Sequence, residues 1–134
     1  DKDLPWVAQN VAKRIGYLRA EAQTLGALER KGEAEKYRRE AKTWFELLRE
    51  AWERAVEEKL FNGVVGRFQP GIQTLRLSAV NVTATMTAAI EQGMTRASEW
   101  THDQAAALSK PPPSAADIKQ ALDELDQFIA QFKK

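Results

Sequence analysis

EAEKYRREAKTWFELLREAWERAVEEKL, residues 33–60, decides the fold. Tyr37, Ala41, Trp44, Leu48, Ala51 and Ala55 recur every three or four residues, which is one face of an α-helix. Phe45, Trp52, Val56 and Leu60 widen that face, and charged residues fill the other. At 1.5 Å per residue the helix is on the order of 40 Å long. Its aromatic stripe is too bulky to stay in water and needs a partner of similar length.

The preceding sequence supplies one. Val7, Val11, Ile15, Leu18, Ala22 and Leu25 lie on a second helical face. Asp3 and Pro5 read as its start, since proline is tolerated in a first turn. Gly32, after Arg30 and Lys31, reads as its stop, because glycine reaches the left-handed conformation at little cost. So short a connection folds the two helices into an antiparallel hairpin, with the aromatics of the second facing smaller residues of the first.

Asn62-Gly63 ends the second helix. GVVGRFQPGIQTLRL, residues 63–77, then reads as an irregular connector anchored by its apolar residues. Its glycines lack the lysine-serine ending of a phosphate loop. Thr83 is placed to cap a third helix with Met86, Ile90, Gly93 or Met94, Ala97 and Trp100 on its inner face. SKPPPSAAD, residues 109–117, breaks the chain, and Ser114 with Asp117 resembles a capping box. Ile118, Leu122, Leu125, Ile129 and Phe132 form a seam suited to docking on the hairpin, with Asp117, Asp123, Glu124 and Asp126 outward.

The expected fold class is therefore all-α. A hairpin over 1–62 leads through a connector at 63–82 to smaller helices in 83–134, with a proline break at 111–113. Residues 1–134 read as one helical domain and as a C-terminal piece of a longer protein. The chain of 134 residues carries 20 basic and 19 acidic side chains, so no basic surface advertises nucleic acid. Lys36, Arg38, Arg39 and Lys42 could touch phosphates, but glutamates interrupt them and a solvated face accounts for them as well. The absence of cysteine fits a reducing compartment, and a cytoplasmic location is expected. Residues 77–95 carry one charge, Glu91, but are too rich in threonine and amides to span a membrane, so no membrane partner is expected.

With one histidine and no cysteine, no metal ligand set is apparent, and no cofactor is expected in this chain. No nucleophile elbow or Walker motif is present. The one stretch that could carry chemistry is MTRASEWTHDQAA, residues 94–106, which holds Arg96, Trp100, His102, Asp103 and Gln104. Arg96 and His102 have the Arg-x5-His spacing of the HEPN ribonucleases, which cleave RNA without metal. In that reading Arg96 steadies phosphate charge and His102 moves a proton near neutral pH. The competing reading has His102 and Asp103 ending a helix, where a histidine gains from the dipole, and Trp100 plugging the core.

WFELLREAWERAVEEKLFNGVVGRFQPGIQTLRL, residues 44–77, with GMTRASEWTHDQAA, residues 93–106, resembles the C-terminal region of bacterial SMC/RecF-like AAA ATPases, coiled-coil enzymes associated with phage defence and related to anticodon nucleases. The resemblance implies an ATPase core before Asp1 and no ATP site here. It implies a non-enzymatic interaction or regulatory module whose partner is the ATPase body of its own parent chain or another protein, with RNA as a further partner. Trp100, Asp103 and Gln104 would then form a contact motif at a helix end.

Overall fold

The computed structural model describes residues 4–66, 69–101 and 111–132. Among them the protein is all-helical and has no strand. Four helices dominate: α1 (Val11–Arg30), α2 (Ala34–Ala55), α3 (Ala84–Glu99) and α4 (Ala115–Ala130). Short 3-10 turns at Trp6–Ala8 and Thr74–Ala79 and a π-helical turn at Val56–Leu60 complete the path.

Local chemistry fixes the ends. Gly32, at φ 76°, closes α1: its N–H donates to the Glu29 carbonyl, and the Glu33 N–H donates to Leu28. These are the two bonds of a Schellman motif. Thr83 accepts from the Met86 N–H and starts α3. Ser114 and Asp117 form a reciprocal capping box at the start of α4.

The contacts show how the helices run. The Trp44 indole N–H donates to the Leu18 carbonyl at 2.9 Å, and the Glu58 carboxylate accepts from the Val11 N–H at 3.0 Å. Rising positions on α2 meet falling ones on α1, so the hairpin is antiparallel. Phe45 stacks near Trp100 while Trp52 abuts Gly93, so α3 runs back along α2. Tyr37 donates to the Pro113 carbonyl, and Trp52 meets Phe128 with ring centroids 5.4 Å apart, so α4 runs with α2. Contacts link α1 to α2, α2 to α3, α3 to α4 and α4 to α1. The result is an up-down-up-down four-helix bundle.

Its core follows the expected stripes. Tyr37, Ala41, Trp44, Phe45, Leu48, Ala51, Trp52, Ala55 and Leu60 of the second helical segment are all buried, as are Ile118, Leu122, Leu125, Phe128 and Ile129 of α4. Two expectations need correction. The first helix starts at Val11, where Asn10 accepts from the Lys13 N–H, and Val7 lies outside it at 58% exposure. Asp3 lies outside the described residues. The connector is not anchored by its apolar run: Val64 is buried, but Ile72, Leu75 and Leu77 face outward. Leu60 belongs to the buried core, whereas Ile72, Leu75 and Leu77 neither belong to it nor pack against it.

Gly93 is a structural requirement. A Cβ there would come within 2.1 Å of the Trp52 ring. The same indole N–H has no hydrogen-bond partner among the described residues. Gly93→Ala should therefore destabilise the protein by about 1–3 kcal/mol through overpacking. In a Trp52→Phe background the added cost should be smaller, because the colliding ring atoms are gone. Urea unfolding of the two single variants and the double variant measures this; equal costs in both backgrounds would show that the contact is not the cause.

Candidate functional site

Arg96 lies in the last turn of α3, facing α4. Its Nε donates to Glu124 Oε1 at 2.8 Å, and the Gln92 amide donates to Glu124 Oε2 at 3.3 Å. One carboxylate is thus gripped by two side chains a helical turn apart. The side chains of Arg96 and Glu124 retain 27% and 20% of their exposure, so the pair is partly shielded from water. The hydrogen bond to Glu124 raises the Arg96 pKa above its ordinary value, and burial partly opposes it. Glu124 is therefore not simply outward, as the acidic side of α4 suggested. It faces α3 because Arg96 and Gln92 supply the donors.

Trp100 caps α3 and is half-buried, its ring tilted 35° to Phe45 with centroids 6.1 Å apart. It is part of the packing against the aromatic ridge of α2. His102, Asp103 and Gln104 lie outside the described residues. The structure thus brings Arg96 to Glu124 and Trp100 to Phe45. A phosphate approaching the Arg96 Nε would have to compete with a carboxylate already in place.

A groove of about 370 Å³ runs between α1 and α4. Ala22 and Gly26 on one side and Ile118 and Leu122 on the other give it an apolar floor, with Tyr37 at one end. The groove exists because small residues of α1 face α4 there. Its rim is tied by exposed ion pairs, Arg19–Asp126 at 2.9 Å and Lys119–Asp123 at 2.8 Å. Such exposed pairs contribute little stability. The size suits a small-molecule site, but the Tyr37 hydroxyl is already committed to the Pro113 carbonyl.

The most unusual surface is the connector. Phe61, Val65, Ile72, Leu75, Leu77 and Val82 are all exposed, and Leu75 reaches 95%. The loop is nevertheless held in place. Asn62 and Gly63 take φ values of 51° and 71°, turning the chain after the π-helical turn. The Gln73 N–H donates to the Val64 carbonyl at 2.7 Å, and the Asn62 side chain donates to the Arg76 carbonyl at 3.2 Å. The second half of the loop is thereby fastened back onto its beginning. Large exposed apolar sets of this kind make the described part of the connector a candidate contact surface.

Sequence reasoning also missed Arg14, which is buried at 6% exposure. Its guanidinium donates to the carbonyls of Gln9, Val7 and Glu50 and lies 4.8 Å from the Trp6 ring centroid. It fastens the entering chain to both helices of the hairpin. The signal was present as a positive charge beside Ile15 on the apolar face, but its carbonyl partners are set by the tertiary fold.

Among the described residues no group of three or more histidines, cysteines or carboxylates could hold a metal ion. No helix there is long and apolar enough to cross a membrane. No family model matches the chain, and no curated protein or solved structure matches it either.

Burial raises the Tyr37 pKa from 10.0 to about 12, with Glu29 and Asp117 adding to the effect. A phenol with a raised folded-state pKa stabilises the fold below its unfolded pKa and loses that contribution as pH climbs to the folded value. Stability should therefore fall from about pH 10 to about pH 12. Tyr37→Phe should flatten that part of the curve. Denaturation midpoints across this range test it, and an unchanged slope would contradict the assignment.

Proposed function

We propose that this chain is a helical interaction and regulatory module of a bacterial, cytoplasmic, defence-type AAA ATPase, with no catalysis of its own. The observation that carries the reading is the connector, described over residues 61–66 and 69–82, which presents six large apolar residues to solvent. A bundle with no partner has no use for a fastened loop of this kind, since exposed aliphatic residues invite association. The sequence resemblance implies as partner the ATPase body of the parent chain or another protein, with RNA as a further partner. The commitment of Arg96 to Glu124 supports a bracing role for that side chain over a phosphate-binding one.

The test has two arms. The chain is incubated with structured RNAs, tRNAs included, in the presence of chelator, and no cleavage is expected. Cleavage lost in both His102→Ala and Arg96→Ala, by about 100- to 10,000-fold as acid–base catalysis requires, would replace this reading with the HEPN-like ribonuclease. Because Arg96 also braces α4, its loss of cleavage counts only where the unfolding midpoint is retained. In the second arm the chain is mixed with the ATPase body expressed separately. Association that Leu75→Asp weakens is expected, and its absence would remove the interaction reading.

A further inference from the structure

We propose that residues 4–9 form a strap that opens from the bundle as a unit while the four helices stay folded, with Arg14 as its latch. This inference goes beyond the interaction reading and does not rest on it.

The strap adds little to the core, which begins at Val11. Pro5, Val7 and Ala8 are exposed, and Leu4, Trp6 and Gln9 are half-buried, with Trp6 packed against the edge of the core. Polar and ring contacts hold it in place. Arg14 donates from Nε to the Gln9 carbonyl at 3.0 Å and from Nη2 to the Val7 carbonyl at 3.2 Å. Its guanidinium lies over the Trp6 ring, whose own N–H donates to Glu50 at 2.9 Å. That ring also meets Tyr17 edge-on, with centroids 5.6 Å apart. Other bonds run within the strap: the Gln9 amide donates to the Leu4 carbonyl, and the Ala8 and Gln9 N–H groups donate to Pro5 and Trp6.

Opening leaves α1 capped. Asn10 accepts from the Lys13 N–H at 2.9 Å, and Glu58 of the π-helical turn accepts from the Val11 N–H at 3.0 Å. Neither bond involves residues 4–9. Nor does opening strand a buried charge. Arg14 keeps its Nη1 bond to the Glu50 carbonyl at 3.3 Å, and the rest of its guanidinium passes into water, where a cation is well solvated. Gln9 works against closure. Its Oε1 is buried with no hydrogen-bond partner among the described residues. A buried acceptor left unpaired costs free energy that hydration returns when the strap opens. The strap is thus a two-state element, held shut by Arg14 and opposed by Gln9. A partner offering carboxylate or carbonyl oxygens to Arg14 would replace the Val7 and Gln9 carbonyls and hold the strap open.

Amide hydrogen exchange, followed by NMR on the full chain over a series of low urea concentrations, tests the inference. The Ala8 and Gln9 N–H groups are bonded within a single 3-10 turn, which does not persist alone in water, so their exchange reports the strap. They should exchange through an opening of smaller free energy and weaker urea dependence than the amides of buried Leu18 and Leu48. Arg14→Met keeps the apolar stem and removes the donors. It should speed Ala8 and Gln9 exchange by about tenfold or more, as the loss of hydrogen bonds from a charged group does. Trp6→Ala should act in the same direction while leaving Arg14 in place. In both variants α1 and α2 stay folded, and Leu18 and Leu48 exchange speeds up by no more than the same factor, because the closed state is the common reference. Ala8 and Gln9 amides that exchange only together with Leu18 and Leu48, at the same urea dependence, would make the strap part of the bundle and overturn the inference. Exchange of Ala8 and Gln9 at the unstructured rate in the unsubstituted chain would overturn it equally, since there would be no closed state. Unchanged Ala8 and Gln9 exchange in Arg14→Met, or loss of protection along α1 there, would overturn the assignment of Arg14 as the latch.

Discussion

The close approach of Trp52 to the backbone at Gly93 is the contact on which the rest of the bundle depends. The Trp52 ring lies so close to α3 that the facing position can carry no side chain. Gly93 supplies that gap, and the position of α3 relative to α2 follows. The same ring also meets Phe128 of α4. One residue of α2 thus touches both later helices. Trp44, two turns earlier, spends its N–H on the Leu18 carbonyl and sets the register of α1. The aromatic ridge of α2 is where three neighbours are measured against one helix.

Much of this was legible in sequence because the signals are local. The stripe of α2 needs only helical spacing, the Gly32 stop needs only left-handed backbone, and Ser114 with Asp117 is a self-contained cap. Gly93 was placed on the inner face of α3, though its pairing with Trp52 was not foreseen, since the contact joins residues 41 positions apart. The start of α1 was misplaced for a similar reason. Val7 fits the spacing, but Arg14 holds the chain before Asn10 in a different path by donating its N–H groups to the Val7 and Gln9 carbonyls, with a third bond to the Glu50 carbonyl of α2. Periodicity carries no information about such a clasp.

The functional surfaces were less legible. Arg96 was singled out by its spacing to His102, but its partner, Glu124, sits 28 residues away on another helix. A pattern search within one segment does not reach it. The apolar connector was visible as composition, yet composition does not say which way a leucine points. Ile72, Leu75 and Leu77 would ordinarily be assigned to the core. They face out, while Leu60 of the preceding turn is buried in the core, and composition cannot tell the two cases apart. The outward-facing apolar connector is therefore the feature that sequence reading was least equipped to find.

The account depends on that loop being a preset surface and not a random tether. Amide hydrogen exchange under native conditions tests this at single residues. The Gln73 N–H, bonded to Val64, and the Gly63 N–H, bonded to Glu57, should exchange far more slowly than unstructured peptide while neighbouring unbonded amides exchange quickly. If Gln73 and Gly63 exchange at the unstructured rate while the four helices stay protected, the loop has no fixed shape and cannot present the surface described.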